Sequence, residues 1–448
     1  MTFFKIRSLL IKHPVLQKII SNVSWLLFDK VLKMAVGLVV IVWLARYLGP
    51  EQFGLLNFVL TLVMIFSIFA NFGLGNVVVR DIVNEPAVAI QILGSAFFIR
   101  FIAAIFSYGL LLLVVFILRP EDDLSKYLTA IIGLSLLFKT ADTIRLWFEA
   151  ETKSKYIVWG EGVGFLISTV IKVVLLWQEA SIIAFGYAIL FESILLTFIL
   201  IFIYSKVESS LTKWQISKAR VRNLLAESWP LIIATAAAII YTRIDILMIG
   251  QMLNDKAVGY YSAATRLSDF TNFLPMIIVV SVIPSIIGHR LSNADVYKKY
   301  FQFTYDVAIG GMAILAIVTM FLSDRIIHLL YGDLYMQASG VLEIHIWTAV
   351  FIAMSIVGGR YLISEGLQKF TMYRQIFGVF INIPLNFLMI PKFGIEGAAM
   401  ATLISFIISS YIFDLFTKHT WICFRQKTNA LIFKSTWFYI LSTFKKTK

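Results

Sequence analysis

Long apolar runs follow one another along almost the whole chain. A run of about 18 or more apolar residues matches the hydrocarbon thickness of a bilayer when it is helical. Inside lipid every backbone N–H and C=O must be paired within the protein, so only helices and closed barrels cross. Barrel strands would alternate polar and apolar residues in short segments. These runs are continuous, which selects helices. Of the 448 residues, 59% are hydrophobic and 15% are charged, too few charges to cover a soluble protein of this size. The expected fold is an all-α integral membrane protein.

Twelve spans are expected, at 21–46, 53–79, 87–118, 125–149, 156–178, 181–205, 228–251, 256–288, 300–323, 338–363, 369–391 and 395–417. Residues 1–20 read as a basic amphipathic lead, and no cleavage site precedes the first span, so no removable signal peptide is expected. The polar interval 206–227 separates an N-terminal six-helix lobe (21–205) from a C-terminal one (228–417). The tail 418–448 is basic and aromatic, as expected of a segment on an anionic leaflet. Lysines and arginines divide 23 to 6 between the two sides, with ten of the 39 inside spans. Such a bias places both termini in the cytoplasm. The net charge of +13 therefore belongs to orienting loops, and no nucleic-acid partner is expected. A single cysteine, Cys423, and five scattered histidines offer no metal cluster, and no cofactor is expected.

A second feature divides the chain. LGPEQFGLLNF at 48–58 is echoed by LNDKAVGYYSA at 253–263, an offset of 205 residues, and each carries a glycine six residues after its leucine (Gly54, Gly259). Each is a polar turn between apolar runs, as a duplication of two halves would leave. The second copy runs on into Arg266 and Asp269, charges inside an apolar run. A duplicated bundle with charges between its halves suggests a transporter.

An Arg or Lys at the bilayer centre costs roughly 2.5–3.5 kcal/mol on insertion scales. Ten occur within the spans: Lys30, Lys33, Arg100, Lys139, Arg145, Lys172, Arg243, Arg266, Arg360 and Arg374. Arg360 and Arg374 lie near span ends and can snorkel. The other eight are expected to face protein or a water-filled cavity. Lys139, Asp142, Arg145 and Glu149 share one helix face, as a ladder between helices or as a cavity wall. Arg243 and Asp245, two residues apart, need different partners. Arg266 and Asp269, three apart, can pair. Asp29, Asp142, Glu161 and Asp245 are candidates for ion coupling. No phosphate loop occurs, so ion gradient or substrate pull, not ATP hydrolysis, is the expected drive. GEGVG at 160–164 is best explained by close helix packing, and Glu121-Asp122-Asp123 by a solvated loop.

These residues also carry a resemblance. ARYLGPEQFG (45–54), NFGLG (71–75) and Arg80-Asp81, then DILMIG (245–250), VGYYSAATRL (258–267), LYG (330–332), NIPLN (382–386) and GIEGAA (394–399), resemble the bacterial polysaccharide-unit flippases. These O-antigen exporters belong to the superfamily of multidrug extruders and lipid II flippases. The resemblance runs from about residue 20 to 417. It implies two six-helix lobes forming a V around a central cavity, in the bacterial inner membrane. It implies a lipid-linked oligosaccharide substrate, a repeat unit on undecaprenyl diphosphate, and as partners a polysaccharide polymerase and a chain-length regulator. Arg266 is then the diphosphate contact, with Lys139, Arg145, Arg243, Lys172, Arg100, Lys30 and Lys33 as further cavity cations. Twelve spans depart from the lipid II flippases, which usually have extra helices. A drug or cation extruder of the same fold should be acid-rich in its cavity. A membrane polymerase or glycosyltransferase should present a large external loop.

Overall fold

The structure is a computed structural model that describes residues 14–208, 211–287 and 294–432, with side chains described over 33–208, 211–282, 286 and 295–432. Among them there is no strand. The helices are α1 (Pro14–Asn71), α2 (Gly75–Asn84), α3 (Ala89–Leu118), α4 (Asp123–Gly133), α5 (Ser135–Phe138), α6 (Asp142–Ala150), α7 (Ser154–Trp177) and α8 (Ile182–Val207) in the first half. The second half holds α9 (Lys218–Met252), α10 (Asp255–Thr271), α11 (Phe273–Ile287), α12 (Ala294–Tyr331), α13 (Ala338–His345), α14 (Thr348–Ser364), α15 (Gln368–Ser410) and α16 (Trp421–Leu431).

Nine helical segments among the described residues are long and apolar enough to cross a membrane. Two of these are double. The chain folds back at Gly49 inside α1 and at Gly394 inside α15, both with positive φ that a side chain would resist. The broken pair α10–α11 is one more, which brings the crossings to about twelve. Turns at Gly49, Leu253, Gly332 and Gly394 define one end of the bundle, called the far end here. Turns near residues 85, 152, 213 and 366 define the other, the basic end.

In the first half α7 packs on α8, α1 on α3 and α2 on α6. In the second, α9 packs on α15, and α12 on α14 and α16. Large apolar side chains such as Phe106, Phe198, Phe321 and Phe380 stand exposed around the outside. In water such a surface would be a liability; facing acyl chains it is the expected lipid face.

The halves join chiefly where α1 crosses α10. There the two echoed glycines meet. A Cβ on Gly54 would stand 1.7 Å from the Asp255 carbonyl oxygen, and one on Gly259 would stand 1.9 Å from that of Pro50. The second contact is the first with each member moved by 205 residues. Such reciprocity is the mark of a two-fold relation. Around this crossing Arg119 grips Asp255 through two hydrogen bonds of 2.6 and 2.9 Å, and lies over the Phe58 ring. Arg46 donates to the Leu329 and Leu330 carbonyls, and Tyr335 to Ala45 O at 2.8 Å. At the basic end Arg80 bonds Glu227, and Arg220 bonds Glu85.

Two expectations are corrected. Arg374 does not snorkel: it is buried and donates to Asp414, forty residues on. The tail does not begin as a surface segment at 418, because α16 packs against α12 with Cys423 and Lys427 buried. Asp414 supplies the reason, since Lys427 donates to its second oxygen at 2.7 Å. The interval 206–227 is helical from Lys218. The basic lead at 1–13 and the tail from 433 lie outside the described residues.

Candidate functional site

Between the halves lies a cavity of about 390 Å³. Eight residues of α1 line it, among them Leu38, Ile41, Asn57, Leu60, Thr61 and Met64. Facing them are Arg243 and Ile246 of α9, and Ser262, Thr265, Arg266 and Asp269 of α10. Each member of the second set sits 205 residues after a member of the first. Equivalent positions of the two halves therefore build opposite walls. The first-half wall is neutral. The second-half wall carries two arginines and one aspartate.

The sequence leaves Arg266 and Asp269 free to pair at i, i+3; the structure pairs them otherwise. Asp269 forms an ion pair with Arg243, whose Nη2 lies 3.1 Å from its carboxylate on the adjacent helix. Arg266 Nη2 instead donates to Asn57 Oδ1 at 2.7 Å, across the seam between the halves. A neutral amide leaves the guanidinium its full charge. Asn57 was not among the sequence candidates, although one asparagine inside an apolar run is a signal that could have found it.

Arg243 and Asp245, two apart on α9, do take different partners. Asp245 is buried and accepts from the Tyr261 hydroxyl and from the Ile246 N–H at 2.9 Å. Thr402 Oγ1 lies 3.5 Å from it. Asn382 donates to Thr402 at 3.3 Å, and Asn386 to Asn382 at 2.9 Å. Asn386 Oδ1 has no partner. This network borders a second cavity of about 380 Å³ that shares Arg243, Ile246, Thr265 and Asp269 with the first and adds His345. His345 Nδ1 lies 3.0 Å from Ser268 Oγ.

The remaining candidates gather in the first half. Lys33, Lys139, Asp142, Arg145, Glu161 and Glu192 line a cavity of about 310 Å³. The span-four stripe is interrupted by a tight 3-10 turn at Lys139–Ala141. Residues three apart eclipse in such a turn, so Lys139, Asp142 and Arg145 still face one space. Arg145 bonds Glu149 at 3.1 Å and Glu161 at 3.0 Å. Lys172 bonds Glu192 at 2.7 Å. Arg100 stands apart from all three cavities, buried with Nη1 3.4 Å from Thr143 Oγ1. The side chains of Asp29 and Lys30 lie outside the described residues. Gly160 and Gly164 sit where a Cβ would strike Ile203 and Leu196 of α8 at 2.6 and 2.5 Å, which is helix packing. Asp122 caps α4 and pairs with Arg119.

The chain is similar to several known proteins. "Probable low-salt glycan biosynthesis flippase Agl15" of Haloferax volcanii is 26% identical over 83% of this chain and 78% of that one. "Capsular polysaccharide biosynthesis protein CapF" of Staphylococcus aureus is 20% identical over 88% and 98%. Among solved structures, "Lipid II flippase MurJ, inward closed conformation" matches with a TM-score of 0.72 at 17% identity, over 90% of each chain, and shows the shared fold. A MatE family model matches residues 230–388. The model of the polysaccharide biosynthesis protein family matches residues 19–287, more than half the chain. This chain belongs to that family.

Proposed function

We propose that the protein is a flippase for oligosaccharide repeat units linked to undecaprenyl diphosphate. It would carry them from the cytoplasmic to the periplasmic leaflet by alternating access. The observation that carries this reading is Arg266, a cation in the cavity between the halves, held by an amide and not by a carboxylate. A diphosphate brings at least two negative charges into a low-dielectric space, and a guanidinium can grip it through two parallel hydrogen bonds. Arg243 adds a second charge beside it, already steadied by Asp269. With the far end clasped at Gly54 and Gly259, the cavity runs from Asn57 toward Met34 and the basic end. The head group would enter there while the lipid tail stays in the membrane. Release would require the glycine crossing and the Arg119–Asp255 pair to part. The names of the relatives from Haloferax and Staphylococcus agree with a glycan precursor as cargo.

Asp245 is the favoured coupling residue. It is a buried carboxylate with hydroxyl and amide oxygens about it, a setting suited to a proton or sodium ion. A cation extruder would want acids in the central cavity, where arginines outnumber aspartate two to one.

The test is surface polysaccharide display. Arg266→Ala should stop it with the protein at near-normal membrane level, and Arg266→Lys should keep part of it. If Arg266 only fastens the halves together, Asn57→Ala must behave like Arg266→Ala. On the substrate reading Asn57→Ala keeps most of the export.

A further inference from the structure

A further, smaller cavity of about 110 Å³ lies within the second half, between α9, α14 and α15. It shares Thr242, Ser355 and Phe406 with the cavity that Asp245 lines, so the two meet at those side chains. Thr242, at the junction, is exposed. The central cavity includes none of the three. The order of residues along the helices fixes the direction. Asp245, Thr242, Tyr241 and Ala238 share one face of α9, and Thr402, Phe406, Ser409 and Ser410 share one face of the second arm of α15. In that order both rows run toward the basic end. Asp245 to Ala238 is about 10 Å of helix rise, and Thr402 to Ser410 about 12 Å. Arg374 and Gln375 line the lower part, roughly 9 Å of rise from the start of α15 at Gln368.

Hydroxyls dominate the smaller cavity: those of Tyr241, Thr242, Ser355, Ser409 and Ser410, beside the Gln375 amide. Polar side chains within spanning helices face the bundle interior or water. A water takes up about 30 Å³ of liquid, so several fit. Tyr241 Oη and Ser409 Oγ lie 2.8 Å apart, a hydrogen-bonded step from α9 to α15. The Tyr241 ring packs on Phe406 with centroids 4.6 Å apart, which sets an aromatic pair where the two cavities join. No carboxylate lines the smaller cavity, so nothing there would trap a cation on its way. Arg374, its one lining cation, is already paired with Asp414. A cation leaving Asp245 through the central cavity would instead have to pass Arg243 and Arg266.

We infer that the two joined cavities form a path for a monovalent cation, sodium or a proton, between Asp245 and the basic end. The path runs inside the second half, past Phe406, Tyr241 and Ser409, and apart from the route of the cargo. This rests on Asp245 as the coupling residue proposed above. Separate routes suit an exchanger, because the ion and the head group move in opposite directions and need not pass each other in one cavity.

The experiment uses the purified full chain in proteoliposomes that contain undecaprenyl diphosphate, with an imposed gradient of sodium or of protons. The parent should take up one of the two, and that one is the coupling ion; uptake of neither overturns the proposal. Ser409→Leu puts an apolar side chain into the smaller cavity. It should lower uptake at least about tenfold, as an apolar constriction that excludes water does, with undecaprenyl diphosphate binding changed less than about twofold. Parent-like uptake in Ser409→Leu overturns the path. Asp245→Asn keeps the two readings apart: parent-like uptake there removes Asp245 as the coupling residue and the path with it. Lost uptake in Asp245→Asn beside parent-like uptake in Ser409→Leu removes the path alone. Ser409→Cys in a Cys423→Ala background gives a second measure that adds no bulk. A water-soluble maleimide applied at the basic end should label it, and absence of labelling overturns the path.

Discussion

The two walls of the central cavity share their architecture and differ in charge. Leu38, Thr61 and Met64 occupy the positions in the first half that Arg243, Arg266 and Asp269 occupy in the second. Where helices must cross closely, the halves are alike: Gly54 and Gly259 each leave room for the other's backbone. Where the cavity must recognise something, they diverge. Duplication fixed the crossing, because a side chain there strikes main chain, which cannot move aside. The cavity walls had no such constraint. An anionic head group would therefore lodge against one half, and motion of that half relative to the other could carry it.

The largest effect tests the shared part. Gly54→Leu and Gly259→Leu should each abolish export and cut the amount of folded protein severely, because overpacking against backbone costs about 1–3 kcal/mol or more. Near-normal export from either variant would break the claim that the halves close on these glycines. The next tests the divergent part. Arg266→Thr should lower export at least about tenfold, the scale of lost charge-assisted hydrogen bonds. Adding Thr61→Arg moves the guanidinium to the equivalent place on the opposite wall, within reach of Ser262 as Arg266 is of Asn57. Export should partly return; no recovery would mean that the asymmetry itself is required.

A smaller effect is expected in the first-half cavity. Arg145 is already shared between Glu149 and Glu161, so Arg145→Ala should change export less than about threefold while lowering thermal stability. The smallest lies at the basic end. The Arg220 guanidinium holds the Glu85 carboxyl below its usual range. A lowered carboxyl contributes at neutral pH and loses that contribution as pH falls through the lowered value. Glu85 is at the surface, so Glu85→Gln should leave the unfolding midpoint almost unchanged at pH 7. A large shift would mean that this pair, and not the glycine crossing, holds the halves.

The echo was legible because helix crossing depends on one residue type at one spacing. The helices were legible because lipid leaves the backbone no other choice. Pairings were not. Arg266 seemed suited to Asp269 by local spacing, yet Asn57, 209 positions away, is its partner and Arg243 claims the aspartate. Arg374 looked able to snorkel because its span end was visible and Asp414 and Lys427 were not visibly near it. A long cation chooses among all carboxylates within reach in space, and a sequence shows only those within reach along a helix.

The central claim is that the cargo's diphosphate meets the second-half wall of the central cavity. Its most direct test is binding of undecaprenyl diphosphate to the purified full chain, compared with undecaprenyl monophosphate. The parent should prefer the diphosphate. Arg266→Ala should weaken diphosphate binding at least about tenfold and erase most of that preference, on the scale of charge-assisted hydrogen bonds. Lys139→Ala, in the first-half cavity, should change it less than about twofold. Unchanged binding in Arg266→Ala, or a larger loss in Lys139→Ala, would contradict the account.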